Sequence, residues 1–138
     1  GVINCWTALD PIPMETALRF WAGSHQKAYI YQAANFSGDA DYRHIRSDRP
    51  VIPEIDSDPT ARILATELHP GDMLAWDSYT FHSAPGNTLN QRRAAFSINW
   101  VSDAVRFHDI PCLDSYRAPE LTEGSLITCD KFPLLRGQ

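Results

Sequence analysis

The chain has 138 residues, 43% of them apolar and 11% aromatic, enough to bury one core and short enough to be a single domain spanning 1–138. A formal charge of -5 and a pI near 5.4 leave no basic stripe, which disfavours nucleic acid and anionic membranes as partners. No apolar run approaches the roughly 20 residues needed to cross a bilayer and no basic-then-apolar leader opens the chain, so a soluble, cytoplasmic protein is expected.

In chain order, the opening Gly1-Val2-Ile3-Asn4-Cys5-Trp6 lacks an initiator methionine and reads as the interior of a strand, so an upstream portion is expected. Short apolar runs broken by Pro, Gly, Asn and Asp recur, and none sustains a 3.6-residue period, which predicts a mainly β sandwich or barrel. Strands are predicted over 2–9, 18–21, 63–68, 72–76, 80–83, 94–101 and, briefly, 105–108. Between them, 26–59 is polar, rich in aspartate and interrupted by Pro50, Pro53 and Pro59. That composition suits a long excursion or lid rather than a strand pair. The tail, 111–138, shows weak periodicity and is expected to wrap the body or fray. Cys5, Cys112 and Cys129 lack the C-x-x-C spacing of zinc or redox sites and read as free thiols. Trp6, Trp21, Trp76 and Trp100 could line a cavity, but filling the core is the preferred reading.

Chemistry concentrates in Pro70-Gly71-Asp72 through His82 to Asn87, followed by Gln91-Arg92-Arg93 and a strand. A histidine at a strand end can offer a neutral imidazole nitrogen to a metal, because the sheet fixes its direction and a loop leaves the far side open. Taken alone, such a histidine is more often a structural hydrogen-bonding group. An arginine opening the next strand suits bidentate capture of a carboxylate. Strand alternation separates the two candidates. Arg93 shares a face with the small or polar Ala95, Ser97 and Asn99, which leaves room for a ligand, whereas Arg92 shares one with Phe96, Ile98 and Trp100, which looks like packing. Arg93 is therefore preferred. His25, His44, His69 and His108 are read as structural or surface residues, and adjacent His108 and Asp109 point to opposite faces.

These residues resemble the phytanoyl-CoA dioxygenase family of iron oxygenases. The resemblance is carried by Gly71-Asp72, His82, Asn87 and Arg93 eleven positions after the histidine, with Cys5-Trp6-Thr7-Ala8-Leu9 and Glu15 to His25 matching upstream family segments. It covers residues 1 to about 107. It implies a double-stranded β-helix, a cupin-like jelly roll, incomplete here at its N-terminus. It further implies Fe(II) and 2-oxoglutarate as cofactors, His82 as the distal iron ligand, and Arg93 as partner of the 2-oxoglutarate C5 carboxylate. The implied activity is hydroxylation of a small-molecule substrate with formation of succinate and CO2.

The chain departs from the family pattern in three places. No H-x-D or H-x-E, the pattern that supplies the other two ligands, occurs in it. Ala84 stands where a serine often contacts the cosubstrate, and Ala22 replaces a loop proline. The alternative is thus a catalytically silent jelly-roll module used for binding or assembly. An exposed sheet edge would also make a homodimer possible.

Overall fold

The computed structural model describes residues 1–27, 31–32, 47–109 and 116–135. Two compact units emerge, Val2–Trp100 and a second made of Gly1 with Val101–Gln138.

The first unit is mainly β, as expected for a jelly roll. Its strands are β1 (Val2–Ala8), β2 (Arg19–Trp21), β3 (Ile63–Ala65), β4 (Met73–Asp77), β5 (His82–Ser83) and β6 (Ala95–Val101), and short 3-10 turns lie at Met14–Thr16, Ser24–Gln26 and Ile55–Ser57. They form two three-stranded sheets, β4-β1-β6 and β3-β2-β5. In the first, β1 runs antiparallel to β4 with Asn4 opposite Trp76 and Trp6 opposite Leu74. In the second, β2 is antiparallel to both neighbours, pairing Trp21 with Ile63 and Phe20 with His82.

Apolar side chains on alternate strand positions must find a common interior, and here they do so around Ala8, Ile12, Ala17 and Leu68, with Trp6 and Leu74 packed against them. Leu68 was expected to continue β3. Instead the strand ends at Ala65, and Leu68 forms an isolated bridge to Ile12. Two main-chain bonds of 2.9 and 3.0 Å close that bridge. Burial explains the break: Leu68 and Ile12 are 7% and 1% exposed, so their side chains follow the core rather than the strand line. The predicted strand over 80–83 likewise shrinks to His82–Ser83. Asp77 draws the preceding residues into a turn, its carbonyl accepting from Thr80 N (2.8 Å) and its carboxylate from Tyr79 N (2.8 Å). Gly71, at φ 98°, supplies the left-handed turn that leads into β4.

Two packing expectations need correction. Phe96, Ile98 and Trp100 are not covered but are 57%, 36% and 46% exposed, and they join exposed Ile3 and Met73. Trp100 is accordingly not a core residue, while Trp21 is buried. The inward face of the same sheet carries the core, while these side chains of the outward face stay exposed.

Of the 26–59 excursion, the described residues contain no strand and one 3-10 turn; 28–30 and 33–46 lie outside the described residues, His44 among them. In the second unit, Phe107 exchanges main-chain bonds with Gly124 and Ser125, and Ile127 bonds Val105, so 105–108 forms a single bridge, Arg106 to Leu126, rather than a strand. The described tail, 116–135, contributes buried Leu121 and a stacked Tyr116–Phe132 pair at 6.3 Å. Cys5 is a buried free thiol and Cys129 a half-buried one; Cys112 lies outside the described residues. No helix among the described residues is long and apolar enough to cross a membrane.

Candidate functional site

His82 is held from both sheets. On β5 it sits opposite Phe20, whose ring stacks on the imidazole at 5.9 Å, and Trp76 of the facing sheet meets it edge-on at 5.1 Å. Phe20 and Trp76 also touch, at 5.0 Å. The imidazole is therefore clamped between aromatic rings in the space between the sheets. Its Nδ1 lies 2.9 Å from the Thr80 carbonyl, which can only accept, so Nδ1 carries the proton. In the neutral ring this places the lone pair on Nε2, the arrangement by which a backbone carbonyl orients a metal-ligating histidine.

A residue that the sequence did not single out fixes the segment leading into His82. Ser24, 1% exposed, accepts a 2.8 Å hydrogen bond from Phe81 N through its Oγ. It lies within the stretch resembling a family motif, but only the fold reveals that its hydroxyl reaches across 57 residues. After His82, Asn87 shapes the loop to Arg93: its Nδ2 donates to Gln91 O at 2.9 Å and its Oδ1 accepts from Leu89 N at 3.3 Å.

The two arginines divide as alternation predicts. Arg92 is engaged by Asp10 in a bidentate pair of 2.9 and 2.8 Å, and the same carboxylate accepts from Ala94 N at 2.8 Å. The Arg92 guanidinium, and next the Ala94 amide, hold Asp10 below the usual carboxylate range. Arg93 takes the other side. Half-buried, it lies over the Trp6 ring at 6.0 Å and donates one 3.3 Å bond to Pro85 O. Trp6 and Trp76 occupy alternate positions on the same inward face of the β1–β4 pair. Arg93 and His82 thus both front the space between the sheets. Asp10, which captures Arg92, gave no signal in the sequence because its partner is 82 residues away.

The remaining described histidines stay outside this space. His25 is exposed, His69 faces Asp72 across its turn at 3.5 Å, and His108 pairs with Glu123 at 2.6 Å while Asp109 pairs with Arg117 at 2.7 Å. The Asp109 amide, and then His108, lower the Glu123 carboxyl below its ordinary value. Among the described residues no group of three His, Cys, Asp or Glu side chains gathers to hold a metal. His82 is oriented by the Thr80 carbonyl, yet the described residues do not complete an iron site.

The comparisons with known proteins bear on this geometry. The family model described as Phytanoyl-CoA dioxygenase (PhyH) matches residues 1–95, which include both His82 and Arg93. The chain belongs to that family. Solved structures similar to it are a non-heme alpha ketoglutarate dependent carbocyclase, SnoK, from nogalamycin biosynthesis (20% identity, TM-score 0.69, covering 98% of this chain and 50% of that one) and an epimerase, SnoN, from the same biosynthesis (23%, 0.66, 98% and 47%). SnoN is also known in complex with Fe3+, alpha ketoglutarate and nogalamycin RO (24%, 0.63, 98% and 50%). At these identities the likeness establishes the fold, and this PhyH-family chain spans about half the length of those structures. No curated protein matches it.

Proposed function

We propose that this chain carries the cosubstrate-anchoring part of a non-haem Fe(II)/2-oxoglutarate-dependent dioxygenase that hydroxylates a small-molecule substrate, with formation of succinate and CO2. The observation that carries the reading is the shared inward aspect of His82 and Arg93, with Arg92 committed to Asp10. In this reading Arg93 binds the C5 carboxylate of 2-oxoglutarate through its guanidinium fork. His82 offers Nε2 as one iron ligand, oriented by Thr80 and held by Phe20 and Trp76. Among the described residues no further side chains gather with it to complete a metal site.

The second reading is a silent jelly-roll module, favoured by the absence of a three-ligand cluster among the described residues. Anaerobic titration with Fe(II) and 2-oxoglutarate separates the two. The dioxygenase reading expects a saturable metal-to-ligand charge-transfer band that disappears in His82→Ala. A chain giving no band in the presence of both components is a silent module.

We also propose that the outward face of β4-β1-β6 pairs with a second copy of this chain. Ile3, Met73, Phe96, Ile98 and Trp100 together expose apolar surface on the order of 500 Å², at the upper end of patches left bare on monomers. Two such faces packed about a twofold axis bury roughly 1,000 Å², at the threshold of a specific interface. Sedimentation velocity should show a dimer that Phe96→Ser shifts to monomer; a wild-type monomer at about 100 μM, well above the weak affinity expected of so small an interface, removes the proposal.

A further inference from the structure

We propose that the outer face of the β3-β2-β5 sheet holds a second binding site, apart from the Arg93 anchor and reaching His82 at its edge, for a flat aromatic carboxylate. Alternation along β2 and β5 directs Phe20 and His82 inward, so Arg19, Trp21 and Ser83 point the other way. On that outer side lies a cavity of about 630 Å³, walled by Trp21, Tyr31, Phe81, Ile52, Ile55 and Ile63. Its volume is in the range of sites for small organic ligands.

Three rings converge there. Trp21 and Phe81 lie 5.8 Å apart, and Tyr31 meets Phe81 edge-on at 5.4 Å. Flat apolar ligands gain most from such walls, because offset and edge-on ring contacts add to simple burial. Lys27 Nζ, 5.4 Å from the centroid of Trp21, adds positive charge beside the rings.

The charge preference of the ligand comes from Arg19. Its guanidinium is held by Asp56 in a two-pronged pair of 3.1 and 2.6 Å, at the cavity wall. Both side chains are well exposed, 39% and 68%, so the pair is screened and weak. Asp56 thus occupies the place of a carboxylate that a ligand can supply. An aromatic acid brings the same two oxygens together with a ring for the Trp21–Phe81 wall, and it displaces Asp56 because the ring contributes contacts that an aspartate lacks. β5 borders the cavity: Thr80, Phe81, His82 and Ser83 all line it, so a ligand seated there packs against the strand that carries His82.

The test is a titration of the full chain with 2-naphthoate, followed by tryptophan fluorescence and by calorimetry, beside the neutral 2-naphthylmethanol. Saturable binding of the acid is expected, with the alcohol weaker. Arg19→Met should weaken the acid by about tenfold or more through loss of a charged hydrogen-bond pair. Asp56→Asn should tighten it by about threefold to fivefold, because a surface competitor of this strength is removed. Both substitutions are at exposed side chains, and far-UV circular dichroism checks that each variant keeps the fold. Saturating 2-oxoglutarate should leave 2-naphthoate affinity unchanged. Absence of saturable binding, equal affinity for acid and alcohol, insensitivity to Arg19→Met, weaker binding in Asp56→Asn, or displacement by 2-oxoglutarate overturns the proposal. The exposed apolar face of the other sheet would bind both probes without regard to Arg19.

Discussion

If Arg93 anchors 2-oxoglutarate as proposed, Arg93→Met should weaken its binding on the order of 100-fold while Arg92→Met stays within about threefold, as read by isothermal calorimetry; two charge-assisted hydrogen bonds to one carboxylate are at stake in the first case and none in the second. The contrast is physical rather than positional. Both side chains are guanidinium groups on adjacent residues, and both could reach a carboxylate in solution. Asp10 engages Arg92 twice and is itself held by the Ala94 amide and only 15% exposed, so that arginine already has a fixed carboxylate partner. Among the described residues Arg93 makes one long bond, to the Pro85 carbonyl, which a carboxylate outcompetes. Its guanidinium lies over the Trp6 ring, so a methionine there removes that contact together with the charge. A larger loss from Arg92→Met than from Arg93→Met would reverse the assignment.

Ile12→Ala destabilises the chain by about 3 kcal/mol, in the usual range for emptying a buried aliphatic position. Ile12 is 1% exposed and packs with Ala8, Ala17 and Leu68. Two of those neighbours are alanines, which cannot swing into a vacated volume, so the cavity persists and its full cost is felt. Set against a total stability of roughly 5–15 kcal/mol for a small domain, this is a large fraction. The change also reaches the site. Ile12 and Leu68 tie the segment after β1 to the segment after β3, and the two sheets so joined carry Arg93 on one side and His82 on the other. Urea denaturation should show the midpoint falling with an unchanged slope; a loss below about 1 kcal/mol would mean that the neighbours close the gap.

Much of the site was legible in the sequence because β-structure alternates with a period of two. The rule that separates Arg93 from Arg92 needs only the strand pattern of 95–101, and the structure places Arg93 over Trp6 on the inward face as that pattern requires. His82 was legible through its place in the Gly71 to Asn87 stretch and the arginine eleven residues on. What could not be read was anything that depends on long-range pairing. Ser24 positions Phe81, Asp10 occupies Arg92, and Asp56 holds Arg19 across 37 residues, yet none carries a local signature, because a hydroxyl or carboxylate in a turn looks alike whether or not a distant donor meets it. The same limit accounts for the misjudged packing of Phe96, Ile98 and Trp100. Periodicity shows that a face is apolar, but only the arrangement of other elements decides whether anything covers it.

By itself, then, the sequence determined the mainly β architecture, the strand faces and the family, since these follow from residue spacing along one strand or one loop. Tertiary structure alone decided that the His82 imidazole stands clamped between Phe20 and Trp76 with Nδ1 on the Thr80 carbonyl, that Arg92 is already spoken for, and that a cavity opens behind β5. Each of these is a meeting of side chains far apart in sequence, and such meetings are set by how two sheets face each other rather than by any property of the residues taken in order.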